Sequence, residues 1–349
     1  MTDGRSERPT RVYLDMNIWV AMTRGCFNGD IRWEEARTGL MRAVGAGSAV
    51  VPLSVAHYLE LWHRSNQQSR EQVGAMMRDE SRYVTLSSPY TVRRREVRAS
   101  ISRFVESSTH WITGEDLIGH GAGHAFDSPH GRFRFVESLA SSDGAQKEGP
   151  STVAPDNWDL LNRSGPAWKW LQLVGTQQIL ENEGVDRTPE HRYGTVQLHG
   201  ELKLRELLAR DVEGRSRLWD ILVTEELNSL LAEINEFCEE LRIDPRGLFF
   251  SDLLQMTPPE AMRVFIGDLP SANKWARFRF WKHRDLTHPW EQHYWTDISA
   301  LSVAVPYCDV VLTERRWTHL VTAVGLAERY DTEIEHGDSA LEALLAKLP

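Results

Sequence analysis

The most legible hydrophobic patterning lies at the two ends of the chain. Residues 11–14 (Arg-Val-Tyr-Leu) are a short apolar run that stops at Asp15, which predicts a buried strand with a carboxylate at its end. From about Asp30, the residues Trp33, Ala36, Leu40 and Val44 recur at spacings of three and four, predicting a helix that Gly45 and Gly47 stop. Residues 49–53 (Ala-Val-Val-Pro-Leu) read as a second strand, and Ser54 stands where it can cap a helix carrying Tyr58, Leu59, Glu60 and Trp62. Toward the other end, Asp297 is placed to open a helix with Ile298, Leu301 and Val305 on one stripe, and Pro306 to end it. Residues 309–313 (Asp-Val-Val-Leu-Thr) then read as a strand, a further helix follows, and residues 332–335 read as a short closing strand. Alternation of this kind predicts parallel strands joined by right-handed crossovers.

Between these ends, from about Arg64 to His288, the pattern predicts long helices and no strand. The clearest is residues 216–241, where Leu218, Ile221, Leu222, Leu227, Leu230, Leu231, Ile234 and Phe237 trace an apolar stripe that reads as core. Residues 141–157 are rich in Gly, Ser, Pro and Asp and read as a loop. The expected organisation is therefore an α/β core from residues 9–64 and 289–345, interrupted by a large, mainly helical insertion over residues 65–288.

Four carboxylates stand at the ends of strands or the starts of helices: Asp15, Glu60, Asp297 and Glu314. In an open parallel sheet these positions share one edge, where ligands bind. Several carboxylates converging there suit hard divalent cations, which take oxygen ligands. Each acid alone has a plainer reading: Asp15 as a turn cap, Glu60 as a surface glutamate, Asp297 as a helix N-cap, Glu314 as a partner of Arg315 or Arg316. Their joint order is what points to a site.

The segment Tyr-Leu-Asp15-Met-Asn17-Ile-Trp resembles the opening motif of the PIN-like domain ribonucleases. Asp297-Ile-Ser-Ala-Leu-Ser-Val-Ala, followed by Tyr-Cys-Asp-Val-Val-Leu-Thr313-Glu314-Arg-Arg-Trp317, resembles that family's third and fourth motifs, and residues 54–62 resemble the helix bearing its second acid. The resemblance covers roughly a third of the chain, at its two ends. It implies a three-layer PIN-like fold with a central parallel sheet, and Mg²⁺ or Mn²⁺ held by Asp15, Glu60 and Asp297 for the hydrolysis of RNA. The fourth position departs from the family pattern, in which Asp or Asn often follows the strand threonine; here Thr313 is followed by Glu314 and Arg315. Glu314 is preferred as fourth acid over Asp309, which begins its strand and should lie at the opposite edge. Asn17 and Thr313 are supporting residues, placed to orient carboxylates or water.

Composition narrows the alternatives. A net charge of −10 argues against coating nucleic acid by bulk electrostatics, so phosphate contacts would have to be local. Lys282, Arg284, Arg315 and Arg316 are the nucleic-acid-binding candidates, the first two within a basic run that also holds Lys274, Arg277 and Arg279. Arg93-Arg94-Arg95 reads first as a solvated helix face. Trp158, Trp168, Trp170, Trp275, Trp281, Trp290 and Trp295 read first as core and second as platforms for unpaired bases. His110, His120, His124 and His130 crowd one region, but glycines between them predict a loop rather than a zinc-binding helix. His283, His288 and His293 read as solvated or core side chains. Cys26, Cys238 and Cys308 form no C-x-x-C pair, and no apolar stretch is long enough for a membrane span, which fits a cytoplasmic protein. No Gly-rich phosphate loop or G-x-S-x-G elbow occurs. The expected partner is RNA, single-stranded rather than duplex; a regulatory protein and an oligomer stay open. Two rivals remain beside the nuclease: a non-catalytic PIN-like module that binds a partner or RNA, and a toxin-like ribonuclease controlled by a partner protein.

Overall fold

Thr10–Leu14 form strand β1, in which Val12, Tyr13 and Leu14 are all buried although successive side chains point to opposite faces. A strand covered on both faces reads as an unbroken apolar run, which is why it was legible. The computed structural model describes residues 8–106, 111–126, 134–135, 165–182, 185–186, 188–250, 256–285 and 289–347. The predicted loop at residues 141–157, Trp158, His110, His130 and His288 lie outside the described residues.

β1 leads into helices α1 (Met16–Phe27) and α2 (Ile31–Ala46), then β2 (Ala49–Val50), α3 (Val55–His63), α4 (Gln67–Ser81) and β3 (Val84–Leu86). The Asp30 side chain accepts from the Arg32 N–H to start α2, and Gly47, at φ 74°, ends it in the left-handed conformation that glycine tolerates best. Gly45 lies within the helix rather than at its stop. The sequence reading placed no helix at 16–27. Ile18, Trp19 and Met22 carry the helical spacing there, but α1 starts directly behind β1, and Asp15, read as a ligand, is also its N-cap.

Further along are β4 (Ile118–His120), the short pair β5 (Arg134–Phe135) and β6 (Val185–Asp186), β7 (Val310–Thr313) and β8 (Glu333–His336). The chain is α/β: its main sheet has the order β2-β1-β7-β8, and every pairing in it is parallel. Val12, Tyr13 and Leu14 pair with Val310, Val311 and Leu312, so the two ends of the sequence do form adjacent strands. One face is packed by Val12, Leu14, Val310 and Leu312 with Trp19, Met22, Leu40 and Leu61. Tyr13, Val311 and Thr313, which alternate to the other face, are buried too.

The middle of the chain is not free of strands, contrary to the expectation. β3 and β4 pair antiparallel, and Leu53 bridges Thr85 in parallel, its N–H donating to the Val84 carbonyl at 2.9 Å. Strands of three residues are too short to show a periodicity, so only their long-range partners reveal them. β4 turns at Gly121 into the short helix Gly121–Phe126 where the glycines predicted a loop; the His124 ring contacts the Thr85 hydroxyl (2.9 Å) and the Ser87 hydroxyl (3.1 Å).

The chain divides into two compact units: residues 1–88, 117–191 and 307–349 in the first, residues 89–116 and 192–306 in the second. This differs from a single insertion over 65–288, because α4, β3 and β4 belong with the sheet. The second unit is helical, with a core of Val97, Ile101, Val223, Leu227, Leu230, Ile234, Phe237, Phe265 and Leu269. The predicted 216–241 helix is two helices, Leu218–Ser229 and Leu231–Leu241, broken at Leu230. Arg93 and Arg94 are tied to Glu226 and Glu236, and the exposed Arg95 side chain to the Asp116 carbonyl, so this helix face has its cations engaged within the unit.

The basic run before the third acid is likewise divided. Lys274 and Arg279 are buried, and Arg279 is clasped by Glu201 and Glu225, both at 2.6 Å; neither is placed to meet a phosphate. Lys282 lies 4.0 Å from the Tyr294 ring centroid, and the Arg284 guanidinium 5.3 Å from that of Trp281. Trp275, Trp290 and Trp295 are buried, as expected for core residues.

At the N-terminal edge of the sheet, Arg11 N–H and Nε–H both donate to Asp309 Oδ2 (2.8 and 3.0 Å), and Nη2 donates to Oδ1 at 2.8 Å. Burial alone would raise the Asp309 carboxyl, but these bonds and the charges of Arg11 and Arg8 hold it below its ordinary value. A carboxylate stabilised in this way supports the fold above its unfolded pKa of about 4 and loses that support as the pH falls further. Asp309→Asn should therefore lower stability at pH 7 by roughly 1–2 kcal/mol, allowing for solvent screening. In urea unfolding, the gap between the two proteins should narrow toward pH 3; a gap independent of pH would contradict this account.

Candidate functional site

The C-terminal edge of the sheet gathers Asp15 after β1, Ser54 at the start of α3, and Glu314 after β7. Asp15 is buried there. Its Oδ1 accepts from the Met16 N–H at 2.8 Å, and its Oδ2 accepts from the Thr313 hydroxyl at 2.5 Å. Thr313 is itself fully buried, so its hydroxyl is held in place to fix the carboxylate's rotation. Asp15 thus both caps α1 and presents a fixed carboxylate.

Burial pushes the Asp15 carboxyl above its ordinary value, and the charge of Glu314 pushes the same way. The two hydrogen bonds and the charge of Arg316 oppose them without cancelling the rise. Burial therefore disfavours the charged form of Asp15 more than its partners restore it.

Glu60 sits in the second turn of α3, and Asp297 in the second turn of the helix Gln292–Tyr307. Asp297 is therefore not the N-cap predicted for it, since that helix begins five residues earlier. Asp15, Glu60 and Asp297 each offer a carboxylate oxygen, and these atoms lie within 4.8 Å of one another. Among the described residues this is the group of metal-ligating side chains, and its donors are oxygens, as hard divalent cations require; the histidines form no such group. Asn17 Oδ1, in the first turn of α1, is shielded from solvent with no hydrogen-bond partner, an acceptor left for a ligand or water. The donor set fits Mg²⁺ or Mn²⁺.

The remaining candidates fall elsewhere. Glu314 is half-exposed, pairs with Arg316 at 2.9 Å, and is not a member of the close acidic group. It acts on Asp15 through its charge. Asp309 lies at the opposite edge, bound to Arg11. Arg315 is exposed and Arg316 half-buried, both at the start of the helix Arg315–Ala323 that follows β7.

His57 is not among the residues predicted for the site, yet it ties the edge together. It is fully buried. The Ser54 N–H donates to its Nδ1 at 2.8 Å, so Nδ1 carries no proton and the Nε2–H donates to the Leu14 carbonyl, also at 2.8 Å. Burial lowers its pKa to about 4, so the ring is neutral. His57 therefore pins α3 to the end of β1, one turn before Glu60 and one residue before Asp15. The signal was present as Ser54-x-x-His57, the spacing of a capping box with histidine in place of Glu or Gln.

Compared with protein-family models, with curated proteins and with solved structures, the chain finds no match.

Proposed function

We propose that the chain is a metal-dependent nuclease of the PIN-like kind, hydrolysing phosphodiester bonds with RNA as substrate. The observation that carries the reading is the group Asp15, Glu60 and Asp297, three carboxylate oxygens within 4.8 Å of one another. Three carboxylates this close repel one another unless cations or hydrogen bonds offset them, and a buried threonine hydroxyl fixes one of the three.

Asp15, Glu60 and Asp297 would hold the cations, with Thr313 and the Met16 N–H keeping Asp15 from rotating and Asn17 Oδ1 accepting from a water. Bound there, divalent cations supply Lewis acidity, neutralising the charge that builds on the phosphate and making water a better nucleophile. The chain's own contribution is the placement of the acids. His57 fixes the mutual position of β1 and α3, so the acids need not reorganise as charge develops.

Purified protein incubated with labelled single-stranded RNA should cleave it with Mg²⁺ or Mn²⁺ and not with EDTA. Cleavage unaffected by EDTA would sink the reading. A non-catalytic module would bind the strand and leave it whole under every condition; a partner-controlled toxin would cleave as the nuclease does and, in addition, arrest growth when expressed unless Asp15 is changed to Asn.

A further inference from the structure

A second feature of the same unit is a groove of about 740 Å³ lined by Arg315, Arg316, Thr318, His319, Thr322 and His336. That volume is in the range of about 300–1,000 Å³ usual for small-ligand sites, enough for one nucleotide. Its construction follows from two periodicities. Residues 315, 318, 319 and 322 recur at spacings of three and four, so they share one face of the helix Arg315–Ala323, while Trp317 turns into the core. His336 closes the other wall from the end of β8. Along β8 the acids Glu333 and Glu335 alternate to the face opposite His336, which keeps their charges away from the groove.

Two of the polar side chains that line it are unused. The exposed Arg315 guanidinium has no partner among the described residues. His336 Nδ1 is shielded from solvent and makes no hydrogen bond. Glu314, which precedes this wall, is occupied by Arg316, and its side chain makes no cap bond to the helix. A planar arginine fork and an imidazole that line one concavity suit a tetrahedral oxyanion. Arg316 reaches both the groove and, through its charge, Asp15.

We infer that this groove is a nucleotide subsite that holds a backbone phosphate of a single strand between Arg315 and His336, beside the acidic group. The identity of the strand as substrate rests on the nuclease reading; the recognition of phosphate does not. The strand would cross the groove with its phosphate against the cations and its sugar and base over His319 and the threonine methyls.

The test separates the two claims by measuring binding in EDTA, where no metal-dependent cleavage can occur. Fluorescence anisotropy is read for a labelled single-stranded RNA decamer, for the DNA of the same base sequence, and for a decamer with an uncharged backbone. The wild type should bind the first two and not the third. Arg315→Ala and His336→Ala should each weaken binding by roughly five- to tenfold, and Arg315→Ala should reduce the slope of log Kd against log salt by about one. Both variants should retain the wild-type circular dichroism spectrum. Equal binding by the two variants, no binding by the wild type, or equal binding of the uncharged decamer would overturn the subsite. Arg315-dependent binding by a protein that cleaves nothing with Mg²⁺ or Mn²⁺ would uphold the subsite and remove the nuclease reading; cleavage unaffected by both variants would do the reverse.

Discussion

The Asp15→Asn variant is expected to lose cleavage by a factor on the order of 10³, about 4 kcal/mol of transition-state stabilisation, while keeping the fold. Asparagine has the same shape and retains Oδ1 to accept from Met16 N–H, and the Thr313 hydroxyl can reverse its role and accept from Nδ2. What it cannot supply is the charge. In EDTA the variant should melt no lower than the wild type, because one of three mutually repelling acids has been neutralised. Mn²⁺ at a hundred times its Kd should stabilise the wild type by about 2.7 kcal/mol and the variant far less. Asp297→Asn should behave alike in cleavage. A variant that cleaves as fast as the wild type, or a wild type whose Tm ignores Mn²⁺, would refute the assignment of these acids.

The second large effect concerns His57. Replacing it with alanine strands the Leu14 carbonyl and the Ser54 N–H in the interior and opens a cavity, a loss of roughly 3–5 kcal/mol. His57→Phe fills the volume without the bonds and should lose less. Acidity should expose the same residue. The folded ring, with its pKa held at about 4, refuses the proton that the unfolded chain takes near 6.5, so stability is complete above that value and falls as the pH drops toward 4. The full difference is about 3 kcal/mol. In urea titrations from pH 8 to 4.5, the wild type should lose stability that His57→Phe does not lose; parallel curves would show that the buried imidazole is not the cause. A positioning role adds a separate readout: Mn²⁺ affinity should fall in His57→Phe even where the protein remains folded.

How far the sequence revealed this depended on the range of the forces involved. β1 and β7 were legible because strands buried on both faces become unbroken apolar runs, and α2 because Asp30 and Gly47 mark its ends. β3 and β4 were not, since three residues carry no period and their pairing joins segments more than thirty residues apart. The start of the helix Gln292–Tyr307 was misplaced because aspartate favours the N-cap, and Asp297 instead occupies an inner turn. At Asp15 the capping reading and the ligand reading stood side by side, and the residue does cap α1. Asp15, Glu60 and Asp297 could be nominated from order and spacing. Glu314 could not be separated from them until its ion pair with Arg316 was visible, and His57 looked like any helix histidine until both of its nitrogens had partners.

The central strand pair has a consequence for biosynthesis. β1 lies beside β7, made about 300 residues later, with Asp15 meeting Thr313 across 298 positions. Contacts of such sequence separation are slow to form and have no local substitute. While the ribosome is still adding the middle of the chain, β1 waits with one edge open, a state exposed to mispairing. Asp15 gains its orienting hydroxyl only when Thr313 has emerged. The Asp15 carboxylate is therefore not held in its final orientation until β7 has been made and has paired with β1.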